Sequence, residues 1–136
     1  MKEIEWMLLR DQSLALAARE AGYDLTMFDD YSPETQEQLR KAAIKISMRN
    51  LDWEFEENTG RTLSSIKCGL YVISISSPFT IQYDDACSEI IYIGIGSVRN
   101  RIESHFNNSL FDFMMSVAGA NFDFRICEPK HDSEES

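Results

Sequence analysis

The sequence predicts an α+β fold, in which three strands are flanked by helices and preceded by an N-terminal helical pair. Three runs rich in β-branched or aromatic residues, at 70–76, 89–95 and 121–127, have the length and composition of strands. Segments with helix caps and apolar residues three or four positions apart precede the first run and follow the second. Apolar residues make up 43% of the 136-residue chain, which is enough to bury the core of one modest domain.

Residues 1–60 are predicted to form an acidic helical extension. A first helix is expected at 2–21, where leucine and alanine dominate and Gly22 follows as a stop. A second helix begins with Ser32 as N-cap and Pro33 at the first helical position, and Asn58-Thr59-Gly60 is expected to end it. The apolar stripe expected along this second helix consists of Leu39, Ala42, Ala43, Ile46, Leu51 and Trp53.

The first two strands are predicted to form a hairpin with a long loop at 77–88. Alternation in the second strand places Ile91, Ile93 and Ile95 on one side and Ile90, Tyr92 and Gly94 on the other. Because β-branched residues lie on both sides of this strand, both of its faces are expected to be covered.

A short helix is predicted after the second strand, with Ser97 as its cap and Val98, Ile102 and Phe106 as its buried stripe. Another helix is expected at 110–117. The third strand follows, and its alternation turns three apolar side chains inward, Phe122, Phe124 and Ile126.

The charge of the chain is distributed unevenly. The formal net charge is −10: residues 1–60 carry 7 basic and 13 acidic side chains, residues 61–127 carry 5 and 6, and the acidic tail 128–136 carries 1 and 4. Binding of nucleic acid by bulk electrostatics is disfavoured, because phosphate contacts depend on lysine and arginine. Any contact with DNA is therefore expected in the nearly neutral segment 61–127.

Neither a membrane span nor a leader peptide is expected. No apolar run approaches the roughly 20 residues that a spanning helix needs, and no basic stretch leads into an apolar run and a cleavage site. The three cysteines, Cys68, Cys87 and Cys127, lack the spacing of a metal site and are expected to be reduced thiols. A cytoplasmic protein without membrane contact is the resulting interpretation.

Four side chains within residues 69–106 suggest phosphodiester chemistry. Tyr71 and Tyr92 lie on the paired strands, and Arg101 and His105 lie four residues apart on the following helix. Arginine can stabilise the charge of a phosphoryl transition state. A base must activate water, and either histidine or a tyrosine whose pKa is lowered by a nearby cation can serve.

The glycine-rich segment before this helix is a second candidate for phosphate binding. Gly94 and Gly96 are expected to lie in a turn, and backbone N–H groups from there to Ser97 would then point toward a bound phosphate.

In their order along the chain these residues resemble the GIY-YIG nuclease superfamily. The resemblance covers about residues 68–127 and consists of Gly69-Leu70-Tyr71, then Tyr92-Ile93-Gly94, then Arg101 and His105. It implies a mixed three-stranded sheet that opens with an antiparallel hairpin, and hydrolysis of DNA with Mg²⁺ or Mn²⁺. It also implies that Tyr71 or Tyr92 acts as the base or orients the water, that Arg101 binds the phosphate, and that His105 relays a proton or contacts the phosphate.

The sequence departs from the pattern of this family most clearly where the metal is concerned. Twenty residues separate Tyr71 from Tyr92, more than in the usual hairpin. The metal-binding glutamate of the family lies on a helix after the third strand, and here only a short polar segment follows, with Glu128 and Glu134 as candidates. Three explanations remain open: the chain is a fragment of a longer nuclease, the glutamate comes from the tail or a partner chain, or the fold no longer cleaves.

Two functions are therefore expected. The first is a GIY-YIG-type DNA endonuclease domain, with truncation at its C-terminus as one of the open explanations. The alternative is a degenerate module of the same fold that binds a protein or nucleic-acid partner as a regulator or inhibitor. A protein partner would engage the acidic helices of residues 1–60.

Overall fold

The computed structural model describes residues 6–10, 14–76, 81–82, 87–88, 90–116 and 121–129. The strands in this part of the chain are β1 (Met7–Arg10), β2 (Gly69–Ile75), β3 (Ile81–Gln82), β4 (Cys87–Ser88), β5 (Ile90–Gly96) and β6 (Phe122–Cys127). The α-helices are α1 (Leu14–Glu20), α2 (Pro33–Thr59), α3 (Val98–His105) and α4 (Phe111–Ser116). Short 3₁₀ helices at Leu25–Asp30 and Leu63–Ser65 and a π-helical turn at Phe106–Leu110 complete the described elements.

Four strands form the main sheet, in the order β1-β6-β2-β5, and every neighbouring pair is antiparallel. The short strands β3 and β4 pair with each other within the predicted loop, of which residues 77–80 and 83–86 lie outside the described part. The predicted α+β class is confirmed. The expected three-stranded mixed sheet is wrong in detail, because β1 adds a fourth strand and the pairing is antiparallel throughout.

The first predicted helix, at 2–21, is wrong in the part that forms β1. Leu9 lies opposite Phe124 of β6 and is fully buried, whereas Leu8 lies opposite Arg125 and is largely exposed. This alternation belongs to a strand, and helix α1 begins only at Leu14. Pairing with β6 satisfies the backbone and buries Leu9, and these gains outweigh the small differences in helix propensity among the residues involved.

The predicted second helix is confirmed at both ends as α2. The Ser32 side chain accepts a hydrogen bond from the backbone N–H of Thr35, and Gly60 ends the helix in the left-handed conformation with φ of 73°. The expected stripe is only partly correct. The buried side chains are Leu39, Ala43, Ile44, Ser47, Met48, Leu51 and Phe55. Trp53 points away from this face and is 61% exposed.

One face of the sheet, called the inner face below, packs against all four α-helices. Its side chains in the common core are Leu9, Tyr71, Ile73, Phe122, Phe124 and Ile126, which confirms the expected inward set of the third strand. The same core contains residues of α1, α2, α3 and α4. The helices of residues 1–60 therefore share their core with the sheet, and the joint packing fixes the position of α3.

Strand β5 differs from its prediction in two ways. The pairing with β2 shifts at a bulge, so that Ile73 lies opposite Tyr92 and Ser74 lies opposite Ile90. Ile90 therefore shares a face with Ile93 and Ile95, and Ile91 instead packs against the core. The expected coverage of both faces is wrong, because the side of the sheet away from the helices leaves large side chains of β5 exposed.

Helix α3 has the buried stripe that the sequence predicts. Val98, Ile102 and Phe106 are all fully buried. The helix continues through the π-helical turn into α4, which covers most of the predicted helix at 110–117. No helix in the described part of the chain is long and apolar enough to cross a membrane.

Candidate functional site

Tyr71 lies on the inner face of the sheet and is only 2% exposed. Its partner across the β2–β5 pair is Gly94. A Cβ atom at position 94 would lie 2.5 Å from Cζ of Tyr71, so only glycine leaves room for the ring. Tyr71, which ends the tripeptide Gly69-Leu70-Tyr71, and Gly94, which ends Tyr92-Ile93-Gly94, thus fit against each other across the sheet.

Helix α3 places His105 against this tyrosine. The Tyr71 hydroxyl oxygen and Nε2 of His105 are hydrogen-bonded at 3.0 Å. Burial of Ile102 and Phe106 fixes the rotation of α3 about its axis. His105 then lies on the flank of the helix that faces β2 and β5.

Tyr92 completes a group of three rings. Its ring stacks on Tyr71 with centroids 6.1 Å apart and an interplanar angle of 17°, and it lies 4.1 Å from the His105 ring. Tyr92 is 46% exposed, so it forms the solvent-facing side of a group whose other tyrosine is buried.

Arg101 lies one helical turn before His105 and turns back over β5. Its Nε would be 3.0 Å from a Cβ at Gly96, whose φ of 141° is a conformation that glycine readily adopts. The guanidinium interacts electrostatically with both Tyr71 and His105. Tyr71, Tyr92, Arg101 and His105, the four side chains predicted to be catalytic, therefore lie together and are called the tyrosine–histidine cluster below.

Burial determines the protonation of this cluster more than charge does. Burial, followed by the repulsion from Arg101, lowers the pKa of His105 below its usual 6.5, so the imidazole is neutral at pH 7. Burial is also the largest cause that raises the pKa of Tyr71 above 10.0; Tyr92 adds to the effect and Arg101 opposes it. A free phenolate at Tyr71 is therefore disfavoured, in contrast to the lowered pKa that a tyrosine base would need.

The residues predicted to bind phosphate lie next to the cluster but not in the expected turn. Gly94 and Gly96 belong to β5 and pair with β2. Ser97 occupies the N-cap position of α3, but its side chain makes no capping hydrogen bond. The first N–H of the helix, that of Val98, donates to the carbonyl of Ile66 at 3.4 Å. Phosphate binding by Gly94, Gly96 and Ser97 stays a prediction.

The described residues do not fit a divalent metal ion. A metal site needs at least three ligands, and in this part of the chain no group of three side chains from histidine, cysteine, aspartate or glutamate lies close enough together to hold an ion. Glu128, a predicted candidate, forms a two-pronged ion pair with Arg61, with its shorter N–O distance at 2.7 Å. Glu134, the other candidate, lies outside the described residues.

One ion pair that the sequence did not indicate joins α3 to α2. Arg99 binds both carboxylate oxygens of Asp52 on α2, with its Nε 2.9 Å from each. The two residues are 47 positions apart, and no local pattern in the sequence connects them. The pair ties the helix that carries Arg101 and His105 to the long helix of the N-terminal segment.

Comparisons with known proteins do not assign the chain to a family. Neither a family model, nor a curated protein, nor a solved structure matches it. The function of the tyrosine–histidine cluster is therefore argued from its own chemistry.

Proposed function

We propose that the chain is a DNA endonuclease domain of the GIY-YIG type, which hydrolyses phosphodiester bonds at the tyrosine–histidine cluster. The observation that supports this most strongly is the 3.0 Å hydrogen bond between Tyr71 and His105 beside the guanidinium of Arg101. A neutral base hydrogen-bonded to a hydroxyl, next to a cation, is the arrangement that water activation and phosphate binding require.

In this proposal the proton of the attacking water moves through Tyr71 to His105. The Tyr71 hydroxyl accepts a proton from the water as it passes its own proton to Nε2 of His105, so a free phenolate never forms. The oxygen of the water bonds to phosphorus, and the bond to the leaving oxygen breaks; the leaving oxygen keeps the bonding electron pair and takes a proton from solvent. The lowered pKa of His105 keeps the imidazole unprotonated at pH 7, so that Nε2 is available to accept the proton, but it also makes the imidazole a weaker base.

Arg101 and Tyr92 form the exposed side of the site in this proposal. Arg101 binds the scissile phosphate, because its guanidinium can donate two hydrogen bonds to phosphate oxygens. Tyr92, whose ring stacks beside Tyr71, contacts the phosphate or the incoming water. A divalent Mg²⁺ or Mn²⁺ would stabilise charge on the phosphate, but the described residues offer no ligand set for it.

The proposal is tested by the conversion of supercoiled plasmid to the nicked form, with Mg²⁺ or Mn²⁺ and with a chelator as the blank. Arg101→Ala should lower the cleavage rate by about 10²–10³-fold, since it removes the group that stabilises the transition-state charge. Tyr71→Phe should lower it by about 10²-fold, because it interrupts proton transfer while leaving the ring packed against Gly94.

Arg19→Ala is the matched control, because Arg19 is an exposed arginine on α1, an element that carries no residue of the cluster. Circular dichroism of each variant establishes that it is folded. Absence of cleavage by the wild-type chain with either metal, or cleavage that Arg101→Ala leaves unchanged, contradicts the proposed site.

A second candidate is a module that binds DNA or a protein at this fold without cleaving. It is favoured by the absence of a metal-ligand group among the described residues, and the net charge of −10 favours a protein partner over DNA. Anisotropy of a labelled duplex separates the two candidates. Binding that depends on Arg101 and persists without any cleavage supports the module, whereas cleavage supports the nuclease. An acidic surface on the helices of residues 1–60 is the corresponding site for a protein partner.

Both candidates place the chain in the cytoplasm. Cys68 and Cys127 are free thiols, which stay reduced in the cytoplasm. DNA and the regulators of nucleic-acid enzymes are also found in that compartment. Fluorescence microscopy of a tagged chain together with cell fractionation tests this placement.

A further inference from the structure

The face of the sheet opposite the helices, called the outer face, exposes a group of large apolar side chains. By strand register this face carries Leu8, Leu70, Val72, Ile90, Ile93 and Ile95. The exposed fractions of Leu8, Ile90, Ile93 and Ile95 are 37%, 40%, 61% and 57%. Leu70, Val72, Ile90, Ile93 and Ile95 lie on the neighbouring strands β2 and β5 and form one patch, whereas Arg125 of β6 separates Leu8 from it.

The size of this patch is compatible with an interaction site. With Leu70 and Val72 partly exposed, the patch on β2 and β5 presents a few hundred Å² of apolar surface, which is the size of the largest apolar patch on a typical monomer and is often functional. A specific interface at the small end of the range buries about 600 Å² on each partner, of which about 65% is apolar in homodimers. Two copies of the outer face therefore supply the apolar area of a small dimer interface.

The charges on this face also fit a second copy of the chain. By strand register, the charged positions of this face in the described strands are Arg10, Asp123 and Arg125, so the face is close to neutral. Arg125 donates to the hydroxyl of Ser74, and Asp123 accepts from that of Ser76. A chain with net charge −10 repels its own copies over most of its surface. Copies can approach most readily through a face that is close to neutral.

We propose that two copies of the chain associate through their outer faces, as two antiparallel sheets packed around a two-fold axis. Such an interface uses the same patch on both copies, so Ile93 and Ile95 of one copy contact the equivalent patch of the other. The sheets would pack about 10 Å apart, like the layers of a β-sandwich. The inner faces stay outward, and Tyr92 and Arg101 remain accessible in both copies.

The test is sedimentation equilibrium of the full chain over about 1–300 µM, a range suited to an interface of this size. The wild-type chain should change from monomer to dimer with a Kd in the micromolar range. Ile93→Glu should weaken self-association by at least about 100-fold, because a two-fold axis buries the new charge twice. Trp53→Glu is the matched control, since Trp53 is also 61% exposed but lies on α2.

Ile95→Lys separates burial from overall repulsion, because it makes the net charge of the chain less negative. Loss of the dimer in both Ile93→Glu and Ile95→Lys, with Trp53→Glu unchanged, supports the outer-face contact. A wild-type chain that stays monomeric throughout, a dimer that Ile93→Glu leaves intact, or a dimer that Ile95→Lys strengthens overturns it. Circular dichroism ensures that only folded variants are compared, and these outcomes do not depend on nuclease activity.

Discussion

Gly94→Ala is the substitution whose effect follows most directly from the structure. The added Cβ would lie 2.5 Å from Cζ of Tyr71, whereas an ordinary contact between carbon atoms is about 3.5–4.0 Å. The ring or strand β5 must therefore move by about 1 Å. Because Tyr71 is 2% exposed and packed in the core, such overpacking costs about 1–3 kcal/mol. Part of this cost is offset, because alanine in a strand is about 0.5–1 kcal/mol more favourable for stability than glycine.

The net destabilisation is then between about 0 and 2.5 kcal/mol with a central value of about 1 kcal/mol, which for a chain of this size corresponds to a fall in Tm of about 3–5 °C. Thermal and urea unfolding followed by circular dichroism measure it. The displaced ring should also weaken the hydrogen bond to His105, so the NMR signals of the imidazole should shift in the same variant.

A double-mutant cycle with Tyr71→Leu identifies the cause. Leucine lacks the Cε1, Cζ and hydroxyl atoms that the new Cβ would meet, so Gly94→Ala should cost little in that background. An equal cost in both backgrounds would refute the steric explanation.

Three further predictions concern charge and capping. The pKa of His105 lies below 6.5 in the folded chain, so in the unfolded chain the imidazole takes up its proton at a higher pH. The free energy of unfolding should therefore fall as the pH drops below about 6.5 and level off below the pKa that His105 has in the folded chain. Urea midpoints of the wild type and His105→Gln across this range measure the difference, and parallel pH profiles would contradict it. Arg101→Ala should raise the pKa of His105, because it removes a nearby positive charge, and an NMR titration that shows no rise would exclude this coupling. Ser32→Ala should lower the free energy of unfolding by about 1 kcal/mol, since it removes the N-cap of α2. Ser64→Ala, at an exposed serine in a 3₁₀ turn, is the control, and equal losses would argue against the capping role.

The elements that the sequence predicted correctly carry their own local signals. Ser32 and Gly60 bound α2 because capping depends on side chains within a few residues of the helix ends. The stripe of α3 and the alternation of β6 also follow from local spacing. The same regularity predicted that Arg101 and His105 share a helix flank next to the tyrosine strands.

The errors arose where distant partners decide the outcome. Residues 7–10 form a strand because β6 lies beside them, although their own composition also suits a helix. The bulge in β5 reassigned Ile90 and Ile91, because it depends on register with β2. Trp53 looked like part of an apolar stripe, but the packing of α2 turned it outward.

For the candidate site, the sequence by itself determined which side chains are present and their order along the chain. The tertiary structure decided that Tyr71 bonds to His105, that Gly94 makes room for the ring, and that the Asp52–Arg99 pair holds the helix in place. It also decided the protonation of the cluster, because burial, which no local pattern specifies, outweighs the charge of Arg101 at Tyr71. Spacing along the chain encodes local geometry, whereas burial and long-range pairing depend on all the elements that share the core.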